Sequence, residues 1–155
     1  MIQYFLPSDI EEIVERLKPF ISQFSGKTIV LSGGNGFLGR YFVEIFCKIN
    51  DSLSCNPLKL IVVDNLITSE QNKIEGIQSQ QIDFIKHDVI EKIEFEDKID
   101  IVIHAAGIAS PYYYRIYPLE TLDVAITGTR RMLSLAKEAK AKMIFFSSSE
   151  IYGDP

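Results

Sequence analysis

Residues 31–40 constrain the fold of this chain more than any other stretch, and they read LSGGNGFLGR. The preceding residues, KTIVL, predict a buried strand, and residues 41–50 carry apolar side chains at helical spacing. Glycine permits the backbone angles of so tight a turn, and it lets a diphosphate approach main-chain N–H groups. The start of the helix adds free N–H donors and the positive end of its dipole. The stretch therefore predicts a strand, a turn and a helix that bind a dinucleotide.

Glycine-rich turns also occur without any ligand, so the next strand has to separate these two interpretations. That strand, residues 58–63, ends at Asp64, and Asp64 follows Gly39 by roughly 25 residues, close to the usual spacing of about 20. A carboxylate at this strand end can accept hydrogen bonds from both hydroxyls of an adenosine ribose. Asp64 has no adjacent Lys or Arg and would repel a 2′-phosphate. The order of elements favours a dinucleotide site over an empty turn, and NAD over NADP.

Strand and helix patterns alternate from Lys27 onward, which predicts a parallel sheet with helices on both faces. The expected fold class is α/β, a Rossmann-like doubly wound parallel sheet of three layers with an extra amino-terminal helix. We expect a helical extension over residues 1–26 and a dinucleotide-binding domain over 27–155. The expected strands are 27–32, 58–63, 82–86, 99–104 and 142–147, and the expected helices are 37–49, 119–140 and a short turn after Ser69.

The amino-terminal helix is predicted from Ser8 and Glu11, which fit a capping box, and from apolar spacing that continues to Pro19. Packing over a sheet edge is the simpler interpretation of this helix, and contact with a partner is the alternative.

Composition excludes several functional classes. A chain of 155 residues with 46% hydrophobic content suffices for one core. A net charge of −5 argues against a nucleic-acid surface. Cys47 and Cys55 lack the partners of a metal set, so we expect reduced thiols and no bound metal. No apolar stretch approaches the roughly 20 residues of a membrane helix, and no signal peptide is recognisable. The sequence thus favours a cytoplasmic protein without a membrane partner.

Ligands of open parallel sheets bind beyond the carboxyl ends of the strands, so the residues that follow each predicted strand are the candidates for a site. We expect the cofactor to be bound by Gly33, Gly36, Phe37, Leu38, Gly39, Asp64, Asn65, Asp88, Val89, Ala105, Ala106 and Gly107.

Other polar and aromatic residues near this edge have two interpretations each. Arg40 could serve a phosphate, but a solvated position on the helix is favoured. His87 is expected to be a polar residue at a strand end, and His104 a core histidine bonded to the main chain. An aromatic cluster either lines the pocket of the cofactor and its substrate or is half-buried packing. The cluster consists of Tyr112, Tyr113, Tyr114 and Tyr117.

Five motifs together resemble the extended short-chain dehydrogenase/reductases, specifically the NAD-dependent epimerase/dehydratase family of nucleotide-sugar enzymes. They are Gly33-Gly34-Asn35-Gly36-Phe37-Leu38-Gly39, Val62-Val63-Asp64-Asn65, His87-Asp88-Val89, His104-Ala105-Ala106 and Ser148-Ser149-Glu150-Ile151-Tyr152-Gly153. The resemblance extends from Lys27 to the last residue. Within this family the chain is most similar to the UDP-glucuronate decarboxylases. That similarity is carried by Ala109-Ser110-Pro111, Tyr114, Pro118, Thr121-Leu122 and the stretch from Glu150 to Pro155.

The resemblance implies that NAD takes a hydride from C4 of a nucleotide sugar and returns it after decarboxylation, dehydration or epimerisation. It also implies that Ser148 hydrogen-bonds the reacting oxygen, and that Glu150 acts as an acid, a base or an electrostatic group. Backbone bonding by Ser148 and a solvated Glu150 are the alternatives. The family's Asn is replaced by Ala125, for which Thr127 could compensate.

The family's general base is a Tyr followed four positions later by a Lys, and no Tyr of this chain has that partner. We therefore expect the amino-terminal portion of a longer enzyme, inactive alone and homodimeric when full length. One alternative is a stand-alone dinucleotide sensor or scaffold without catalysis. Others are an enzyme of the dTDP-glucose 4,6-dehydratase or 4-epimerase type, and a reductase of a non-sugar carbonyl.

Overall fold

The computed structural model describes residues 5–53, 55–69, 72, 74 and 81–153, without the side chains of residues 149 and 150. The strands are β1 (Thr28–Ser32), β2 (Lys59–Asp64), β3 (Ile82–Lys86), β4 (Ile101–His104) and β5 (Lys142–Phe145). The α-helices are α1 (Pro7–Leu17), α2 (Phe37–Ser52), α3 (Pro111–Ile116), α4 (Pro118–Asp123) and α5 (Thr129–Ala139). Short 3₁₀ helices span Lys18–Phe24 and Ser149–Tyr152, and a π-helical turn spans Val124–Gly128.

The five strands form one parallel sheet in the order β3-β2-β1-β4-β5. In its register, Leu31 at the centre lies opposite Val62 on one side and Ile103 on the other. The chain runs outward from β1 to β2 and β3 and then crosses back to β4 on the other side of β1. This reversal of the strand order opens a crevice between the carboxyl ends of β1 and β4. The predicted α/β fold class is confirmed.

Alternating residues of the strands build two cores, one on each face of the sheet. On one face, Ile29 and Leu31 of β1 pack with Val43 of α2. On the other, Val30 packs with Met132 of α5. All five residues are fully buried. Since helices cover both faces, the three-layer arrangement is as predicted.

The amino-terminal segment departs from its prediction in two respects. Helix α1 begins at Pro7, and its N-cap residue Leu6 makes no side-chain cap bond, so the capping box at Ser8 and Glu11 is wrong. Proline is favoured at this first position because its missing N–H would have no helical partner. The helix also packs along α2 instead of over a sheet edge: the hydroxyl of Tyr41 donates to Oδ2 of Asp9 at 3.0 Å.

The helix predicted over 119–140 is interrupted. Pro118 starts α4, and the π-helical turn Val124–Gly128 separates it from α5. Gly128 packs so closely on the loop after β3 that a Cβ there would lie 3.0 Å from Cγ2 of Val89. Helix α3 was not predicted. The helical turn expected after Ser69 lies outside the described residues. Within the described part of the chain, no helix combines the length and apolarity needed to cross a bilayer.

Candidate functional site

A cleft of about 740 Å³, partly open to solvent, lies beyond the carboxyl ends of β1, β2, β3 and β4. Its lining includes most of the predicted cofactor residues: Gly33, Gly36, Asp64, Asn65, Asp88, Val89, Ala105, Ala106 and Gly107. The structure therefore brings together segments that are far apart in sequence, as the strand-end argument predicts.

The glycine turn at the base of the cleft has no room for side chains. Gly33 has φ +75°, and a Cβ there would lie 2.6 Å from the backbone nitrogen of Ala106. A Cβ on Gly39 would lie 2.2 Å from the carbonyl oxygen of Gly33. Gly39 thus serves the packing of α2 against the turn and does not line the cleft. Phe37 and Leu38 do not line it either, and their side chains are 65% and 48% exposed.

The start of α2 nevertheless offers main-chain donors. Gly36 is the N-cap residue, and the first N–H that bonds back to it belongs to Arg40, at 3.2 Å. The N–H groups of the residues in between have no partner within the helix. Phe37 and Leu38 therefore remain candidates through their backbone, not through their side chains.

Asp64 is held at the tip of β2 by two main-chain donors. Its Oδ2 accepts from the N–H of Asn35 at 2.9 Å, and its Oδ1 accepts from the N–H of Leu66 at 2.9 Å. Leu66 has φ +64°, an uncommon conformation for a residue other than glycine, which turns its N–H back to the carboxylate. Each oxygen keeps a further acceptor position, so the carboxylate can bind two ligand hydroxyls.

A second carboxylate, Asp88, is fixed at the end of β3. Its Oδ2 accepts from Nδ2 of Asn65 at 2.8 Å, and its Oδ1 accepts from the N–H of Ile90 at 3.1 Å. The loops after β2 and β3 are thereby tied together beside Asp64. Apolar Val89, 4% exposed, follows Asp88 and lines the same wall.

Another part of the lining comes from α4 and the π-helical turn, and sequence reasoning missed it. Glu120, Asp123 and Val124 line the cleft there. Their spacing of three and four positions places them on one helical face, but nothing in the sequence indicated which face would turn toward the sheet. Asn35, whose N–H holds Asp64, was also missed as a site residue, although it stands inside the glycine motif.

The two histidines have different environments. His104 is 1% exposed, and burial lowers its pKa to about 4. Its Nδ1 lies 2.6 Å from Oγ of Ser32, and its Nε2 lies 3.2 Å from Oγ1 of Thr129. The prediction of a core histidine is right, but its partners are side chains, not main chain. Thr129, and not Thr127, joins α5 to the end of β4. His87 follows β3 as expected and lines the cleft.

Four other predictions have different outcomes. Nε and Nη1 of Arg40 are shielded from solvent, so the solvated interpretation of Arg40 is wrong. The aromatic cluster does not line the cleft: Tyr112 is 68% exposed, and its ring meets that of Tyr113 edge to face at 5.2 Å. Ser148 is exposed beyond β5 and away from the cleft lining. The side chain of Glu150 lies outside the described part of the structure.

These features fit a dinucleotide without a 2′-phosphate. The glycine turn leaves space at the helix start, and a Cβ on Gly107 would meet nothing within 4 Å, so the floor is open. The cleft is lined by Asp64, Asp88, Glu120 and Asp123 and by no Lys or Arg of the described residues. An additional phosphate would be repelled at this acidic edge.

Comparison with known proteins also indicates a family that uses NAD. The model of the NAD dependent epimerase/dehydratase family matches residues 29–155. UDP-glucuronic acid decarboxylase 2 of Arabidopsis thaliana is 36% identical over 84% of this chain and 27% of its own length. UDP-glucuronic acid decarboxylase 1 of Danio rerio is 36% identical over 88% of this chain and 31% of its own. The chain thus spans about three tenths of these relatives.

A solved structure extends the comparison to the fold. UDP-glucose 4-epimerase from Bifidobacterium longum, in complex with NAD⁺ and UDP, matches with a TM-score of 0.64 and 26% identity. The match covers 83% of this chain and 39% of the epimerase chain. NAD is the cofactor that the family's description states, and the cleft described above fits it. The chain belongs to the NAD dependent epimerase/dehydratase family.

Proposed function

We propose that this chain is the NAD-binding portion of an enzyme that modifies nucleotide sugars in the manner of the UDP-glucuronic acid decarboxylases. The observation that carries the proposal is the position of Asp64, whose carboxylate faces the glycine turn between two main-chain donors. We place the NAD-binding domain at residues 27–155 and treat 1–26 as a helical extension packed on it. The chain spans about three tenths of the length of the decarboxylases it matches, so the activity of a whole enzyme is part of this proposal.

Each part of the cleft has a part of the cofactor to bind. The N–H groups at the start of α2 would hold the diphosphate, and Asp64 would accept from the adenosine ribose hydroxyls. Asp88 would accept from the exocyclic amine of adenine, whose ring would lie on Val89. Ala105, Ala106 and Gly107 would allow the dinucleotide to pass close to the end of β4.

When bound, NAD supplies the acceptor and donor of the hydride at C4 of the sugar. Ser148 would hydrogen-bond the C4 oxygen as its proton leaves. Glu150 would exchange a proton or stabilise charge beside it. The 4-ketone of a uronic acid lies β to its carboxylate, so carbon dioxide leaves and the electron pair passes to the ketone. Because no Tyr here has a Lys four positions later, we propose that the general base comes from outside this sequence.

Homodimerisation and a cytoplasmic location complete the proposal. Four large apolar side chains from α4 to α5 are more than half exposed, which marks an interaction surface. They are Leu119, Leu122, Ile126 and Leu133. The occupant we propose for this surface is a second copy of the enzyme. Cys47 and Cys55 are both free thiols, which favours a reducing compartment.

A stand-alone dinucleotide-binding module is the alternative, favoured by the absence of the Tyr and Lys pair among these residues. The two functions share the cofactor site and differ in turnover. A longer protein containing this sequence should release carbon dioxide from UDP-glucuronate if the first function holds, and it should bind NAD without turnover if the second does.

The cofactor site itself is tested by titrating the chain with NAD⁺ and NADP⁺ by calorimetry. We expect NAD⁺ to bind more tightly, and Asp64→Asn to weaken NAD⁺ by about 10-fold or more, because a charged acceptor of two hydroxyls is lost. The control is Asp97→Asn, whose carboxylate pairs with Lys59 at 2.8 Å at the edge of the sheet. Equal loss in both variants, or equal affinity for the two dinucleotides, would contradict the site.

A further inference from the structure

We infer that Asn65 is a positioning residue which orients Asp88 and thereby makes the cleft specific for an adenine base. The inference rests on the proposed NAD site and deepens it. From the sequence, Asn65 is expected to bind the cofactor directly. The structure instead uses both ends of its amide within the protein.

The amide of Asn65 joins two loops. Its Nδ2 donates to Oδ2 of Asp88 at 2.8 Å, across a sequence separation of 23 residues. Its Oδ1 accepts from the N–H of Ile67 at 3.0 Å, which closes a local turn after β2. The amide plane is therefore fixed by the turn, and the direction of its N–H group toward Asp88 is fixed with it. Asn65 therefore couples the position of the loop after β2 to the orientation of the Asp88 carboxylate.

Asp88 then has one orientation in which all its bonds are made. Ile90 donates its N–H to Oδ1 at 3.1 Å, while Asn65 occupies one side of Oδ2. An ionised carboxylate only accepts hydrogen bonds and has about four acceptor positions, so positions remain for a ligand. Both Asp88 and Asn65 line the cleft. A base presented to this carboxylate must bring a donor.

This requirement distinguishes purine bases. Adenine presents an exocyclic amine, whereas hypoxanthine presents a carbonyl oxygen at the same place. The carbonyl would face the acceptor Asp88 without a hydrogen, which leaves two oxygen acceptors unpaired at this half-buried position. Discrimination against hypoxanthine requires that Asp88 cannot turn away. The bond from Asn65 prevents that rotation.

The loop that carries Asn65 is held in an uncommon conformation. Leu66, the next residue, has φ +64° and donates its N–H to Asp64. Such backbone conformations persist where the surroundings enforce them, and they are frequent at ligand sites. The bonds of Asn65 and Asp64 together enforce this one. The same short segment thus orients the carboxylate for the ribose and the carboxylate for the base.

The test measures affinities for NAD⁺ and for its hypoxanthine analogue by calorimetry in the unsubstituted chain and two variants. Asn65→Asp keeps the acceptor for Ile67 and removes the donor to Asp88; Asn65→Ala removes both. We expect the unsubstituted chain to prefer NAD⁺ by about 10-fold or more, and both variants to lose most of that preference. The matched control is Asn72→Ala. Oδ1 of Asn72 accepts from the N–H of Ile74 at 3.0 Å in the same kind of turn, and Asn72 is not among the residues that line the cleft.

The outcomes separate this inference from the proposed function. If the unsubstituted chain binds NAD⁺ and the variants of Asn65 keep its preference for adenine, the positioning role is wrong and the proposed function stands. If the variants weaken both dinucleotides equally, Asn65 is merely structural, and the inference is again overturned. If the unsubstituted chain does not bind NAD⁺, the proposed site and this inference both fail.

Discussion

Replacing Gly39 by alanine tests the packing that forms the cofactor turn. A Cβ at this position would lie 2.2 Å from the carbonyl oxygen of Gly33 and 2.5 Å from Cα of Gly34. These distances are about 1 Å shorter than ordinary van der Waals contact, and both neighbours are backbone. Helix propensity alone predicts that alanine stabilises α2 by about 1 kcal/mol. Overpacking of this severity costs about 3 kcal/mol, so the sign reverses and about 2 kcal/mol is lost.

Thermal and urea unfolding measure this loss, which corresponds to a melting temperature lower by about 4 to 8 °C. Two other glycines provide a graded control. A Cβ on Gly36 would lie 3.2 Å from the carbonyl oxygen of Gly33, and one on Gly107 would meet nothing within 4 Å. Gly36→Ala should cost about 1 kcal/mol or less, and Gly107→Ala should stay within about 0.5 kcal/mol of the unsubstituted chain. A Gly39→Ala variant as stable as Gly107→Ala, or more stable, would show that the turn has room for a Cβ at position 39.

Three further predictions concern titration, thiol chemistry and assembly. Burial lowers the pKa of His104 to about 4, from its usual value of about 6.5. Below pH 6.5 this histidine therefore binds a proton more readily in the unfolded chain than in the folded one. The free energy of unfolding should therefore fall by up to about 3 kcal/mol from pH 7 to pH 4, and His104→Gln should flatten that pH dependence. Burial, followed by the charges of Glu44 and Asp51, raises the pKa of Cys47 to about 12, so iodoacetamide should label exposed Cys55 first; equal labelling would contradict this burial. Leu122→Glu should weaken self-association in sedimentation experiments without lowering the melting temperature, since Leu122 is 58% exposed; unchanged association would argue against the proposed dimer face.

The features that could be predicted from the sequence are those set by short-range patterns. The path from β1 through α2 to β2 follows from the glycine spacing, the apolar strands and the position of Asp64. Helix α2 begins at Phe37 as expected and ends at Ser52, later than the expected end at residue 49. The convergence of strand ends on one cleft follows from the parallel order alone.

Features that depend on long-range packing could not be predicted. The partners of His104 come from Ser32 and Thr129, which are far from it in the chain. The π-helical turn depends on the close approach of Gly128 to Val89, which no periodicity reveals. The bond from Asn65 to Asp88 likewise joins two strand ends that are 23 residues apart in sequence. Each of these contacts depends on tertiary geometry and not on local preference.

A crystal structure of the chain with NAD⁺ would show where the cofactor binds. If NAD binds beyond β1 and β2, both hydroxyls of its adenosine ribose should lie within hydrogen-bond distance of Oδ1 and Oδ2 of Asp64. Its diphosphate should lie at the N–H groups that begin α2. A dinucleotide bound elsewhere, or one whose ribose lies away from Asp64, would contradict the proposed site.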